Sequence, residues 1–204
     1  MNFLQSSPAR STLQTTLFVA LLVLTMSGRV SAQSSELDSD ELMRRIVSIS
    51  ADPDFRRGSP EKRSLYETHL QELMNRAKAR QPSAMFNFGW YRNQFCVITK
   101  KQGIDVTTAP MCVEAVEDLR AVAENPKIAS LFISPAAMTM LGEMHRDGIG
   151  TRLSRYLSAD WFVKSAAQRE KNGDRDGAIR AMEDALNVVP DHPTANELRT
   201  RLLK

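Results

Sequence analysis

The chain has 204 residues, of which 42% are hydrophobic, 25% charged and 6% aromatic. These proportions are close to the averages of globular proteins and argue against a collagen-like fibre, a wholly disordered chain and a polytopic membrane protein. The formal net charge of +3 falls to +1 once the two arginines within residues 1–32 are left out. That charge is too low for the basic surface of a nucleic-acid-binding protein, so we expect no nucleic acid among the partners.

The N-terminus has the three parts of a secretory signal peptide. A polar stretch with Arg10 precedes an apolar run from Leu17 to Met26, and Val30 and Ala32 then occupy the −3 and −1 positions of a cleavage site. Spanning a bilayer takes about 20 apolar residues, and this run is only half that long. The sequence therefore predicts a signal peptide over 1–32, cleaved after Ala32, with a periplasmic or secreted product that does not insert into the membrane. An uncleaved anchor is the alternative.

The remaining sequence predicts helices separated by breaks that contain proline or glycine, without the period-two alternation of strands. A short first helix has an apolar stripe from Leu37 to Ile49, and Ser59-Pro60 opens a second helix that ends before Gln81-Pro82. Six further helices are predicted over 83–97, 111–123, 134–147 (capped by Ser134), 155–171, 175–188 and 193–203. A loop is predicted over 100–110 and a turn at Gly148-Ile149-Gly150. The predicted fold class is all-α.

One stretch of the sequence recurs 53 residues further along the chain. Residues 84–91 (AMFNFGWY) return as residues 137–144 (AMTMLGEM), with the shared frame Ala-Met-x-x-[Phe/Leu]-Gly-x-[Tyr/Met]. A small residue followed by a large apolar residue and a glycine lets one helix pack closely on the next. Because a single hairpin of this kind cannot bury its apolar face, such hairpins stack into a solenoid.

A wider set of residues follows the spacing of helical repeats. These are Ala137, Leu141-Gly142, Met144, Gly148-x-Gly150, Ala159-x-Trp161-Phe162-x-Lys164-x-Ala166-Ala167, Gly173-Asp174, Ala178-Ile179, Met182, Ala185-Leu186 and Pro190. Through the residues of this set within 137–167 the chain resembles the Sel1-like repeat. Through those within 162–190 it resembles the related tetratricopeptide repeat.

The resemblance implies a short α-solenoid of stacked antiparallel helix hairpins over residues 81–204. Within it, 83–123 is a divergent repeat, 136–171 a Sel1-like repeat, 159–192 a tetratricopeptide-like repeat and 193–204 a C-terminal capping helix. Residues 33–80 carry no signature of the family. We expect them to form an N-terminal helical cap, because a solenoid has to cover its terminal apolar face.

The two cysteines, Cys96 and Cys112, both follow the predicted signal peptide. In an oxidising compartment they are able to pair, and two buried free thiols are the alternative. Secreted Sel1-like proteins include members whose disulfides tie together the two helices of a repeat. The resemblance therefore implies a bridge between Cys96 and Cys112 across the predicted loop.

The sequence contains no nucleophile elbow, phosphate-binding loop or zinc-protease motif. His145 near Glu143 and Asp147 is the one arrangement that resembles an acid–base or metal site. Its place in the repeat favours a packing role instead, where the family usually has an aromatic residue. We therefore expect a protein that is not an enzyme and that needs neither a cofactor nor a metal.

The resemblance also implies where a partner would bind. In tetratricopeptide-type arrays the first helix of each hairpin lines a concave face, on which an extended peptide or a partner helix lies. The corresponding residues of this chain are Phe86, Trp90, Asn93, Thr139, Glu143, Arg146, Asp160, Val163 and Glu170. Trp90 and Arg146 are residue types common in interface hot spots, although a core position for Trp90 is equally compatible with the pattern. The implied function is an adaptor for a protein or peptide partner in the cell envelope, and the alternative is a peptidoglycan-associated binding protein.

Overall fold

The computed structural model describes residues 34–204, with side chains from residue 39, so the predicted signal peptide lies outside the described residues. Over this range the secondary structure is helical without a β-strand, which confirms the predicted all-α class. The α-helices are α1 (Ser34–Ala51), α2 (Pro53–Arg56), α3 (Pro60–Lys78), α4 (Pro82–Lys101), α5 (Pro110–Ala123), α6 (Ile133–Asp147), α7 (Arg155–Lys171), α8 (Arg175–Val188) and α9 (Pro193–Leu202). A short 3₁₀ helix spans Pro126–Ile128.

Prolines and capping side chains, among them the predicted cap Ser59, set the start of several helices. Five of the helices, α2 to α5 and α9, begin with proline, whose missing N–H has no acceptor in the first turn anyway. Ser59 caps α3, since its Oγ accepts a hydrogen bond from the Lys62 N–H at 3.4 Å. Ser154 and Asp174 cap α7 and α8 in the same way, and both helices have the predicted bounds.

Three local predictions were wrong. The break predicted between the first helix and Ser59-Pro60 contains the short helix α2, because the Asp52 carboxylate caps it by accepting from the Asp54 N–H at 2.8 Å. Helix α4 continues to Lys101, beyond the predicted end at residue 97. Ser134 does not cap α6, which already begins at Ile133, and its hydroxyl instead lies 3.4 Å from the Ala123 carbonyl oxygen as a hydrogen-bond donor.

The chain divides into two compact units, one that ends at Leu73 and one over Met74–Lys204. In the first unit α1 contacts α2, and the Lys62 ammonium lies 3.0 Å from the Asp52 carboxylate. The rings of Phe55 and Tyr66 also contact each other there, with centroids 5.0 Å apart. The capping role of residues 33–80 stays a prediction.

In the second unit each helix from α4 to α9 packs against the next one along the chain. Helix α4 also contacts α6, and α7 also contacts α9. The core of the last three helices is built mainly from small and aliphatic side chains around one aromatic ring: Ala159, Phe162, Val163, Ala166, Ala178, Ala181, Met182, Ala185, Val188, Val189, Ala195, Leu198 and Leu202. Each helix therefore packs against its neighbours along the chain. Two further contacts, α4 with α6 and α7 with α9, join helices that are two apart in the sequence.

In each of two helix pairs, α4–α5 and α6–α7, a glycine lets the two helices of the pair approach closely. A Cβ added at Gly89 of α4 would lie 3.0 Å from Leu119 Cγ of α5. A Cβ added at Gly142 of α6 would lie 2.8 Å from Phe162 Cε1 of α7. Both glycines belong to the sequence frame that recurs after 53 residues. The same frame thus makes the same kind of close contact in two helix pairs.

The turn after α6 docks against the beginning of α5. The Gly150 N–H donates a hydrogen bond to the Val106 carbonyl oxygen at 3.0 Å. Gly150 has a φ of +62°, and a Cβ added to it would lie only 2.1 Å from the Cys112 carbonyl oxygen. The backbone at Gly150 is therefore in direct contact with the backbone at Val106 and Cys112. Through this contact the predicted turn also packs the α6–α7 pair against the α4–α5 pair.

Candidate partner-binding face

The two cysteines form a disulfide, as predicted. The Cys96 and Cys112 sulfurs are bonded and the two Cα atoms lie 5.9 Å apart, so the bond joins α4 to α5. Both residues are buried, and the alternative of two free thiols is wrong. A structural disulfide is compatible with an oxidising compartment outside the cytoplasm.

Three of the nine residues predicted to contact a partner are buried. Phe86, Asn93 and Val163 expose only 7%, 4% and 9% of their surface. Val163 belongs to the core shared by α7, α8 and α9. These residues present little area to a partner, and their contact with one stays a prediction.

Three further residues of the predicted set make hydrogen bonds within the protein. These bonds join Thr139 to Ser165 at 2.9 Å, Asp160 to His192 at 3.0 Å, and Glu170 to Arg201 at 2.6 and 2.9 Å. The first links α6 to α7, and the other two link α7 to α9 and its N-terminal cap. Their side chains therefore already contribute to helix packing.

The last three residues of the predicted set lie on α4 and α6. Trp90 is half-buried on α4, three residues before Asn93 and hence on the same side of the helix. Arg146 is exposed on α6, and its guanidinium donates two hydrogen bonds to the Asp147 carboxylate, at 2.9 and 3.0 Å. Glu143 is half-buried one turn before Arg146.

Glu143 interacts electrostatically with a second carboxylate, Asp184 of α8, which the sequence analysis did not single out. Burial raises the pKa of Glu143 above its ordinary value, and the negative charges of Asp147 and Asp184 add to this against the opposing charge of Arg146. Burial also raises the pKa of Asp184, again against the charge of Arg146. Within the described part of the chain, neither Glu143 nor Asp184 has a hydrogen-bond or ion-pair partner.

Asn93 is a buried amide whose hydrogen bonds are incomplete. Its Oδ1 atom has no hydrogen-bond partner among the described residues, whereas buried polar groups in native structures are nearly always paired. Helix α4 packs against α6, which carries Glu143 and Arg146, and these two residues interact electrostatically with Asp184 of α8. We call the residues Trp90, Glu143, Arg146 and Asp184 the polar face, because Trp90, Glu143 and Asp184 occupy matching places in the sequence of α4, α6 and α8.

Asp184 could have been found from spacing alone. Ala178 and Met182 are four residues apart, like Ala137 and Leu141, and Asp184 then stands where Glu143 stands in the earlier helix. The frame was hard to recognise because Glu183 replaces the glycine that the other two copies share.

His145 packs inside the second unit, with 3% of its surface exposed. Its Nδ1 lies 3.4 Å from Thr151 Oγ1, and burial together with the nearby charge of Arg120 lowers its pKa. In the part of the chain that the structure describes, no three His, Cys, Asp or Glu side chains are grouped so that they could hold a metal ion. The geometry of His145 is that of a packed side chain.

The described helices include none with both the length and the apolar character needed to cross a membrane.

No protein-family model matches this chain, and no match is found among curated proteins or solved structures. A functional conclusion therefore depends on the sequence pattern and on the geometry of the polar face.

Proposed function

We propose that the protein is an exported adaptor that binds a protein or peptide partner on the polar face. The observation that carries the proposal is the half-buried indole of Trp90 on α4, at the place in the recurring frame that half-buried Glu143 occupies on α6. The indole ring supplies the apolar area that interfaces favour, and exposed Arg146, one turn after Glu143, is a residue type common in interface hot spots.

The helix packing supports the resemblance to Sel1-like and tetratricopeptide repeats. The close contacts at Gly89 and Gly142 occur in two successive helix pairs, as expected for stacked hairpins. We divide the array into the hairpins α4–α5, α6–α7 and α8–α9, which replaces the predicted repeat over 159–192 with α7 as its first helix. In such an array α4, α6 and α8 are the first helices and line a common concave surface. The polar face has residues from these three helices.

The disulfide and the N-terminal sequence support export. The Cys96–Cys112 bond would be stable in the periplasm or the medium, and residues 1–32 have the pattern of a signal peptide. The export proposal is tested by the intact mass of the protein recovered outside the cytoplasm. We expect a chain that begins at Gln33 and has lost two hydrogens to the disulfide, whereas a full-length, reduced chain would contradict it.

The adaptor proposal is tested by photocrosslinking in the producing cell, with the crosslinking residue placed at position 90 or at position 146. The control position is Glu117, an exposed residue of α5 outside the polar face. We expect the same crosslinked protein from positions 90 and 146 and not from 117. Adducts to cell-wall fragments alone would favour the peptidoglycan-associated alternative. No adduct at either position would contradict binding at this face.

A further inference from the structure

Two connections between helices meet at one edge of the second unit. With the helix ends beside them, one covers residues 100–111 between α4 and α5 and the other covers residues 147–157 between α6 and α7. The Lys100 ammonium donates a hydrogen bond to the Asp147 carbonyl oxygen, and the Gly150 N–H donates one to the Val106 carbonyl oxygen at 3.0 Å. These bonds hold the two connections side by side, so their exposed side chains share one edge.

Large apolar side chains are exposed along this edge. They are Ile104, Met111, Leu153, Tyr156 and Leu157, and they expose between 40% and 63% of their surface. A side chain that lines a groove is covered by the groove walls, whereas these side chains stand out from the protein. Exposed apolar residues grouped in this way mark a site of interaction.

The same edge carries an excess of positive charge. The exposed cations of the two connections are Lys100, Lys101, Arg152 and Arg155. Lys100 and Arg155 donate to backbone carbonyl oxygens, which have no net charge that could cancel theirs. The acids of the two connections and of the adjoining α8–α9 connection are Asp105, Asp147 and Asp191. Arg146 already binds Asp147, so the cations prevail.

The charge of this surface limits what it can bind. We call the surface, with its five apolar residues and four cations, the basic edge. A second copy of the chain would bring the same cations together. Residues 1–32 would add charge of the same sign, because they contain two arginines and no acid. Charge complementarity therefore selects an acidic occupant.

An anionic lipid surface fits the basic edge better than an acidic protein does. A protein would need pockets for side chains that stand out, whereas the interfacial region of a bilayer admits them without a matching shape. Aliphatic side chains enter that region, tyrosine rings lie at the level of the headgroups, and lysine and arginine reach the phosphates. The basic edge has all three kinds of residue.

We propose that the basic edge docks on the surface of an anionic phospholipid bilayer. The apolar side chains enter the headgroup region, the cations bind lipid phosphates, and no segment crosses the bilayer. The proposal goes beyond the adaptor function and does not depend on it, because the basic edge shares no residue with the polar face.

The proposal is tested by flotation with lipid vesicles of the chain recovered outside the cytoplasm. One set of vesicles contains phosphatidylcholine and phosphatidylglycerol in equal parts, and the other contains phosphatidylcholine alone. We expect the protein to float with the anionic vesicles and to stay behind with the neutral ones, and added salt should weaken binding because it screens the charges. No flotation with the anionic vesicles, or equal flotation with both kinds, would overturn the proposal.

A blocked oligoglutamate peptide separates a lipid site from a site for an acidic protein. At an equal concentration of negative charge the peptide should displace little protein from the vesicles, because it offers no apolar interface. If the peptide displaces the protein and also shifts the NMR amide signals of residues 100–111 and 147–157, the occupant is an acidic peptide and the proposal is wrong.

Apolar variants locate the lipid contact. Leu153→Ser with Tyr156→Ser should weaken vesicle binding about tenfold or more, because two large side chains no longer enter the interface. Leu203→Ser is the matched control, since Leu203 exposes 61% of its surface but follows α9, outside the basic edge. The control should bind as the parent does.

Charge variants test the second component of the contact. Lys101→Gln should weaken binding about fivefold, the effect of losing one cation near an anionic surface. Lys171→Gln is its control, because Lys171 is likewise an exposed lysine at the last position of its helix. The changed side chains are all exposed, so the melting temperatures should equal that of the parent. Equal losses in a variant and its control would place the contact elsewhere and overturn the proposal.

Discussion

Gly150 joins two helix pairs through a contact that leaves no room for a side chain. A methyl group in place of its α-hydrogen would lie 2.1 Å from the Cys112 carbonyl oxygen. Its φ of +62° is also unfavourable for residues that have a side chain. The Cys112 backbone has little freedom to move away, because Cys112 lies in the first turn of α5 and is bonded to α4 by the disulfide.

We expect Gly150→Ala to lower the free energy of unfolding by about 2–5 kcal/mol, the sum of left-handed backbone strain and overpacking. Gly103→Ala is the matched control, because Gly103 also has a positive φ (+82°) but has open space where its Cβ would lie. That control should lose only about 1–2 kcal/mol from the backbone strain. Denaturant titration measures both, and equal losses would show that the contact with Cys112 is unimportant.

His145 should make stability depend on pH. Burial and Arg120 lower its pKa from the ordinary value of 6.5, so the folded protein binds fewer protons than the unfolded chain just below that pH. We therefore expect the free energy of unfolding to be fully maintained above 6.5 and to fall as the pH drops from there through the folded pKa of His145.

The check is chemical denaturation at several pH values between about 8 and about 5, the range in which histidine titrates. His145→Phe keeps an aromatic side chain without a titrating group and should remove this part of the pH dependence. Arg120→Gln should reduce it, because one repulsive charge is gone. A pH dependence unchanged in both variants would show that other groups cause it.

The residue scale also shows where sequence reasoning reaches its limit. Cys96 and Cys112 could be paired in advance, because the resemblance specified a bridge between neighbouring helices. The burial of Phe86 and Asn93 could not be anticipated, since burial depends on which neighbour covers a given side of the helix. Glu170 was predicted to face a partner, but Arg201, 31 residues away, occupies its carboxylate. Local periodicity carries no information about such distant contacts.

At the scale of elements, the close approach of α6 to α7 depends on the absence of a side chain at Gly142. The Phe162 ring of α7, with 1% of its surface exposed, fills the space that such a side chain would need. A Cβ at position 142 would meet three atoms of that ring at 2.8–3.0 Å, and the buried ring has little room to turn away. At Gly89 the opposing atoms belong to Leu119, a more adaptable side chain.

We expect Gly142→Ala to lower the free energy of unfolding by about 1–2 kcal/mol, because overpacking of the core outweighs the gain of about 1 kcal/mol in helix propensity. Gly89→Ala should cost less. In a Phe162→Leu background Gly142→Ala should become neutral or stabilising, and a double-mutant cycle measures this coupling. Additive effects would contradict a direct contact between position 142 and the ring.

Helix bounds were the most predictable feature of the elements. α7 and α8 have the predicted bounds because a capping side chain marks each start and the apolar spacing marks each length. α4 extends beyond its predicted end because no proline or glycine interrupts it before Gly103. The correspondence of Asp184 to Glu143 was not recognised, because the third copy of the frame has Glu183 where the other two copies have glycine.

At the scale of the whole molecule, stability should depend on the redox state of the compartment. The disulfide closes a loop with a sequence separation of 16, and a cross-link of that length restricts the unfolded chain by about 3 kcal/mol. We expect the reduced protein to be less stable than the oxidised protein by about that amount. The variant with both cysteines replaced by alanine should match the reduced protein.

Denaturant titration with and without a reducing agent measures the difference, with the double alanine variant as the control that no longer responds to the agent. Equal stability of the oxidised and reduced protein would show that the bond adds nothing to the helix packing. The all-α class followed from periodicity alone, but the arrangement of whole helix pairs depends on contacts such as Gly150 with Cys112, which no local pattern encodes.

The single bond between Cys96 and Cys112 also simplifies the route to the native protein. Two cysteines allow only one intramolecular pairing, so an oxidising chain has no scrambled isomer in which to become trapped. The remaining wrong product is a bridge between two chains, and dilution suppresses it. Recovery from denatured material should therefore be limited by protein concentration and should require no isomerase.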